Sequence, residues 1–207
     1  GEGRAGVRDR QWFDWTRSSV PEMWIASALV PLNSEDMLAR QTRAMLSWAR
    51  IGIKVRVLVI TESEQDFRQL MNQVQRSGDV QTSVYEMVQS IPTKIFPLTD
   101  SNSSAQLPMM NKIIAELERR AVGSDAPMMY INSDIVLFPA LAPVIQLVAK
   151  IAQYEKYVLA GTRTEVKSDH PLLDQDPTVP LSNATYEAVR AMKNAGMWQG
   201  DYFVFGR

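Results

Sequence analysis

The sequence predicts an α/β fold, a mostly parallel sheet flanked by helices, and three observations carry that expectation. Strand-like apolar runs alternate with helix-period segments along most of the chain. One run, Ile53-Lys54-Val55-Arg56-Val57-Leu58-Val59-Ile60, is rich in β-branched residues and directly follows a capped helix. Another, Met128-Met129-Tyr130-Ile131, is apolar on both alternating faces, as a central strand covered on each side must be.

Taken in order, residues 1–20 are polar and Arg-rich with Trp12, Phe13 and Trp15 among them, and read as an N-terminal arm whose aromatics pack onto the domain. Gly1-Glu2-Gly3-Arg4-Ala5-Gly6 fits G-x-G-x-x-G, but no strand precedes it and no helix follows, so the physical reason for those glycines is missing. Residues 24–30, bounded by Pro21 and Pro31, have the length of a buried strand. Ser34 then caps a helix with Glu35 and Asp36 at its positive end and Leu38, Met45, Leu46 and Ala49 at helical spacing up to Gly52. Strand 53–60 completes a β-α-β opening.

Residues 64–75 read as a helix ending near Gly78, and 81–88 and 94–96 as strand candidates separated by Pro92. Residues 100–106 form a Ser/Asn-rich loop, after which Met110, Ile113, Ile114, Leu117 and Ala121 make a helical stripe. After strand 128–131, Leu141, Val144, Ile145, Val148 and Ile151 repeat at helical spacing, and strand 157–160 follows. Residues 167–182 mix prolines with acids and sustain neither period, so they form a long loop; a helix over 183–194 and a strand over 202–205 follow.

Composition removes several function classes. The 207 residues carry 22 Lys+Arg against 23 Asp+Glu, so no excess of basic charge argues for nucleic-acid binding through phosphate neutralisation. Without cysteine there is no disulfide framework, zinc ribbon or thiol nucleophile, and one histidine, His170, builds no His-rich metal centre. Any metal is therefore held mainly by oxygen. No apolar run approaches the ~18 residues of a membrane span.

In open α/β sheets ligands bind outside the carboxyl ends of the strands, where loops and helix N-termini converge. Four strands end there in polar or turn-forming clusters: Pro31-Leu32-Asn33, Thr61-Glu62-Ser63, Asn132-Ser133-Asp134 and Gly161-Thr162-Arg163. Asp134 is the sharpest candidate, because a carboxylate directly after an apolar strand, flanked by Asn132 and Ser133, offers only hard oxygen ligands, which suit Mg²⁺ or Mn²⁺. Each of these residues has a plainer use: Asp134 as a cap or turn residue, Asn33 at a helix start, Thr61 and Glu62 at a strand end, Lys112 on a solvated helix face, Arg163 in a surface ion pair. His170 and Trp198 fit a loop and core packing better than catalysis or sugar stacking.

Tyr130-Ile131-Asn132-Ser133-Asp134-Ile135-Val136-Leu137 resembles the region around the D-x-D motif of GT-A nucleotide-sugar glycosyltransferases. Residues 157–166 and 200–205 resemble later segments of such enzymes in the same order, so the resemblance covers residues 24–207. It implies a Rossmann-like mixed sheet of GT-A type over residues 21–207, in a family whose members commonly continue further. It also implies a hexosyl- or pentosyltransferase that takes a nucleoside diphosphate sugar and an acceptor hydroxyl, with Mn²⁺ or Mg²⁺ as cofactor.

By the same resemblance Asp134 and Asn132 approach the metal, Asn132 standing where an acid is common. Pro31, Leu32, Asn33, Thr61 and Glu62 surround base and ribose, Ser133 lies within the motif, and Asn111 and Lys112 reach the diphosphate. Arg163 pairs with a phosphate or an acceptor carboxylate, and Asp201 is the catalytic base. The alternative is a nucleotide-sugar-binding module without turnover; an unrelated dinucleotide-binding enzyme is a third reading. Location stays open between cytoplasm and Golgi lumen. Absent cysteine fits the first; the sequons at Asn102 and Asn183, and a start unlike a signal peptide with an anchor upstream of it, fit the second.

Overall fold

The computed structural model describes residues 22–97, 104–124, 126–151, 157–161, 175–191 and 202–206. The main sheet contains β1 (Met23–Ala28), β2 (Val55–Ile60), β3 (Tyr85–Val88), β6 (Met128–Ile131), β7 (Tyr157–Gly161) and β8 (Tyr202–Gly206), in the order β3-β2-β1-β6-β8-β7. β1 pairs in parallel with β2 and β6, and β2 with β3; β8 runs antiparallel between β6 and β7. The chain is thus a mixed α/β protein with a six-stranded, mostly parallel sheet. A separate antiparallel ribbon pairs β4 (Thr93–Pro97) with β5 (Ser104–Pro108).

The helices are α1 (Glu35–Ala49), α2 (Glu64–Gln75), α3 (Met110–Arg120), α4 (Leu141–Ile151) and α5 (Asn183–Arg190). Local chemistry sets their starts. Ser34, Ser63 and Ser182 each accept the N–H three residues on, at 3.1 Å, satisfying a donor that the helix leaves free. Pro143 stands in the first turn of α4, where its missing N–H breaks no intrahelical bond. Gly52, just past α1, adopts φ +91°, which lets the chain reverse into β2.

The strands alternate between two cores. One face gathers Met23, Ile25, Val57, Val59, Met129, Ile131 and Val204 with Ala44, Met45, Leu46 and Trp48 of α1, Leu70 and Val74 of α2, and Ala142 and Ile145 of α4. The other gathers Ala26, Leu58, Ile60, Val88 and Met128 with Ile113 and Leu117 of α3. At the β7–β8 seam small residues lie under aromatic rings: a Cβ on Gly161 would enter the Tyr202 ring, and one on Gly206 would crowd the Tyr157 ring.

Several boundaries differ from the sequence reading for identifiable reasons. Residues 104–106, expected in a loop, begin β5, because pairing Ser104 with Pro97 and Gln106 with Ile95 needs only backbone groups. The strand expected from residue 81 starts at Tyr85, after a 3-10 turn over Thr82–Val84. In the apolar stripe of α4, Ile145 is buried as expected, whereas Val144 is 47% exposed and Ala142 takes a core position. The N-terminal arm, residues 162–174 and the end of the 183–194 helix lie outside the described residues.

Candidate functional site

The parallel strands bring their carboxyl ends to one edge of the sheet. Ala28 and Ile60, the last residues of β1 and β2, are register partners, and Ile131, the last of β6, pairs with Tyr202 at the start of β8. Gly161, the last of β7, pairs with Tyr202 from the other side. The clusters beginning at Pro31, Thr61 and Asn132 therefore leave the sheet together, at the edge where Gly161 ends β7. Arg163 and Asp201, expected as phosphate ligand and base, lie outside the described residues, as do His170 and Trp198.

The turn after β6 divides its three polar residues between separate tasks. Ile135 donates its N–H to the Asn132 carbonyl at 3.2 Å, which closes the turn. Ser133 is 1% exposed, and its Oγ accepts the Val30 N–H at 3.4 Å, tying the end of β1 to the end of β6. Asn132 is half-buried, and its Oδ1 accepts the Tyr130 hydroxyl at 3.4 Å. Burial pushes the Tyr130 phenol above its ordinary pKa, which keeps it protonated as that donor. Asp134 is exposed, and its carboxylate has no partner among the described residues. Downstream, the Trp48 indole N–H donates to the Ile135 carbonyl at 2.8 Å and Leu137 N–H donates to Ser47 Oγ at 2.9 Å, so α1 holds the segment that follows Asp134.

The ends of β1 and β2 are largely satisfied from within the protein. Asn33 donates its N–H to the Pro31 carbonyl at 2.9 Å, and Leu32 donates its N–H to the Asp66 carboxylate at 3.4 Å. Thr61 Oγ1 accepts the Ser63 N–H at 3.1 Å, and the Glu62 carboxylate accepts the Ser90 N–H at 2.7 Å. That last bond braces Ser90 at φ +62°, a left-handed conformation that a residue with a Cβ adopts at a cost. The groups left outward here are the exposed Pro31 ring and the exposed Asn33 side chain.

α3 returns to β6 through a short connection, so it runs antiparallel to that strand and its first turn lies toward the carboxyl edge. Asn111 and Lys112 are exposed in this turn, while Ile113 and Leu117 face the sheet. Met109 at the cap position gives no side-chain bond, which leaves the leading amides of the helix without that partner.

Sequence reasoning did not single out Asp66, Gln41, Tyr130 or Ser90. Asp66 carried a usable signal, since Ser63-x-x-Asp66 has the spacing of a helix-start box. Here the acid turns to Leu32 instead, because the Ser63 N–H already donates to Thr61. Gln41, fully buried in α1, donates from Nε2 to the Val30 carbonyl at 2.8 Å, a contact that no local pattern reveals.

Among the described residues no three histidine, cysteine or acidic side chains cluster around a point that a metal would fill. The exposed Asp134 carboxylate and the Asn132 amide oxygen, the latter accepting the Tyr130 hydroxyl, offer only oxygen donors in this turn. Such a pair fits Mg²⁺ or Mn²⁺ when water and phosphate oxygens complete the shell. A groove of about 630 Å³ runs along α2 past Leu38, Gln65, Gln69 and Asn72 and shares no residue with this pair. None of the described helices is long and apolar enough to cross a membrane.

The molecule is thus an α/β protein whose mostly parallel sheet presents a polar carboxyl edge. No family model matches the chain, and no curated protein matches it.

Proposed function

We propose that this chain is a glycosyltransferase of GT-A type that moves a sugar from a nucleoside diphosphate sugar to an acceptor hydroxyl. The observation that carries this reading is Asp134, an exposed carboxylate without a partner among the described residues, just after an apolar strand and within a segment that resembles the D-x-D region. In this reading the nucleoside lies against the ends of β1 and β2, beside Pro31, Leu32, Asn33, Thr61 and Glu62. The backbone donors of Leu32 and Asn33 are already engaged, so the exposed Asn33 amide does the discriminating.

Asn132 contacts a ribose hydroxyl. Asn111 and Lys112 approach the diphosphate, Lys112 as a compact positive charge. Arg163 pairs with a phosphate or an acceptor carboxylate through its two-pronged guanidinium. Asp201 takes the proton of the acceptor hydroxyl as the acceptor oxygen bonds to the anomeric carbon. The bond from that carbon to the diphosphate oxygen breaks at the same centre, and the nucleoside diphosphate leaves with the electron pair. Mn²⁺ or Mg²⁺, held through oxygen by Asp134 and Asn132, would supply positive charge against the departing diphosphate.

A second reading, a nucleotide-sugar-binding module without turnover, draws on Asn132: one carboxylate instead of two weakens capture of a cation by charge. Titrating UDP- and GDP-sugars with and without Mn²⁺, alongside release of free sugar, separates the two. The enzyme reading expects metal-dependent binding that weakens on the order of tenfold or more in Asp134→Ala, together with sugar release. Binding without sugar release, to acceptors or to water, selects the module. Binding indifferent to both Mn²⁺ and Asp134→Ala removes the site.

A further inference from the structure

The two edges of the main sheet are built differently. β3, at one edge, has four residues and carries the exposed Glu86, which is ion-paired to Arg120 of α3. Its chain leaves the sheet into Ser90, whose positive φ is braced by Glu62. A short strand, a charge and an abrupt exit are the features by which sheets prevent unwanted pairing at an edge.

β7, at the other edge, carries no such charge among its five residues. Tyr157-Val158-Leu159-Ala160-Gly161 contains no charge and no proline, and among the described residues it pairs with β8 alone. No described residue pairs with its outer backbone N–H and C=O groups, the arrangement that offers a ladder to another strand. Val158 is 69% exposed, and Ala160, on the same face, is exposed too. Val158 also ends a row that crosses the sheet through Trp24, Met128 and Phe205, all register partners of their neighbours, so an apolar stripe runs out to this edge.

We infer that β7 is the seam of a homodimer, pairing antiparallel with β7 of a second copy across a two-fold axis at Leu159. The strand is complementary to itself in that register: Tyr157 meets Gly161 of the second copy, Val158 meets Ala160, and Leu159 meets Leu159. Each large residue stands opposite a small one except at the axis, where two leucines pack. The β7–β8 seam already uses the same device, with Tyr157 opposite Gly206 and Gly161 opposite Tyr202. A two-fold of this kind consumes both open edges and closes, so it gives a dimer and not a fibre. The antiparallel arrangement also points the two carboxyl edges in opposite directions.

Sedimentation velocity of the whole chain over a dilution series tests the inference. A reversible monomer–dimer equilibrium is expected, and Val158→Lys is expected to weaken it roughly tenfold or more by placing charge at the seam. Ala160→Lys should act alike, and both substitutions are of exposed residues, so thermal unfolding should match the wild type. Because the chain has no cysteine, single thiols give a second measurement. Leu159→Cys should form a covalent dimer on mild oxidation, while Val122→Cys, at a position 70% exposed on the turn before β6, should not. A wild type that stays monomeric, a Val158→Lys variant that dimerises unchanged, or equal cross-linking at residues 159 and 122 would each overturn the proposal.

Discussion

The two faces of the sheet are held by different physics. On the face covered by α1, α2 and α4, buried side chains also bond to backbone: the Trp48 indole to Ile135, the Tyr85 hydroxyl to Met45 at 2.8 Å, and the Arg43 guanidinium, 4% exposed, to Gln175 at 2.7 Å. Burial lowers the pKa of Arg43 and raises that of Tyr85 well above its usual range. On the other face α3 is seated by Ile113 and Leu117, and its polar contacts include ion pairs near solvent among Glu116, Arg119, Arg120 and Glu86. The first face should therefore respond most to lost volume and lost partners, with the Arg50–Asp79 pair at the end of α1 as its acid-sensitive contact, and the second to lost volume and to the protonation of Glu116.

The largest effect is expected at Trp48. Truncating this fully buried ring to alanine leaves a cavity and strips the Ile135 carbonyl of its donor, for a loss of about 3–5 kcal/mol. Urea unfolding of Trp48→Ala measures it, and amide exchange over residues 132–137 should accelerate, since among the described residues α1 then keeps one hydrogen bond to the segment after Asp134, from Leu137 N–H to Ser47 Oγ. A loss below about 1 kcal/mol would mean that the two faces do not differ in this way.

How much of this contrast was legible in the sequence follows from the range of the interactions. The apolar runs of β1, β2 and β6 and the Ser34 cap of α1 are local, and the sequence predicts them to within two or three residues. The exposure of Asp134 was also legible, because a carboxylate just past an apolar run has left the core. β5 was not, since Ser104–Pro108 has no strand pattern of its own and is a strand only because Thr93–Pro97 lies beside it. Nor was it legible that Glu62 serves Ser90, Asp66 serves Leu32 and Ser133 serves Val30. Those pairs join residues brought together by the sheet order, which side-chain spacing along the chain does not encode.

Leu117→Ala sharpens the comparison from the other side. Leu117 is fully buried against the sheet, but it gives no hydrogen bond, so the loss reduces to transfer and cavity terms of about 2–3 kcal/mol. Measured by the same urea titration, it should fall below Trp48→Ala and leave exchange at residues 132–137 unchanged. If exchange there rises as much as in Trp48→Ala, the two cores act as one unit.

The smallest effect belongs to Glu116, and pH brings it out. Hydrogen bonds from Arg119, joined by Arg120, hold its carboxyl at about 2 against an ordinary 4.5. The folded state therefore binds a proton less readily than the unfolded chain does. The resulting stability is fully present above pH 4.5 and is lost as pH falls from 4.5 toward 2. Solvent around Arg119 screens the pair and holds the contribution to about 1 kcal/mol. Glu116→Gln removes the titrating group while keeping the shape, so its unfolding free energy should lie below the wild type above pH 4.5 and converge with it toward pH 2. Trp48→Ala, by contrast, should run parallel to the wild type through the same window, because the indole and the Ile135 carbonyl do not titrate. A Glu116→Gln profile that parallels the wild type would show that α3 is seated by its apolar residues alone and that the ion pairs on its outer side carry no stability.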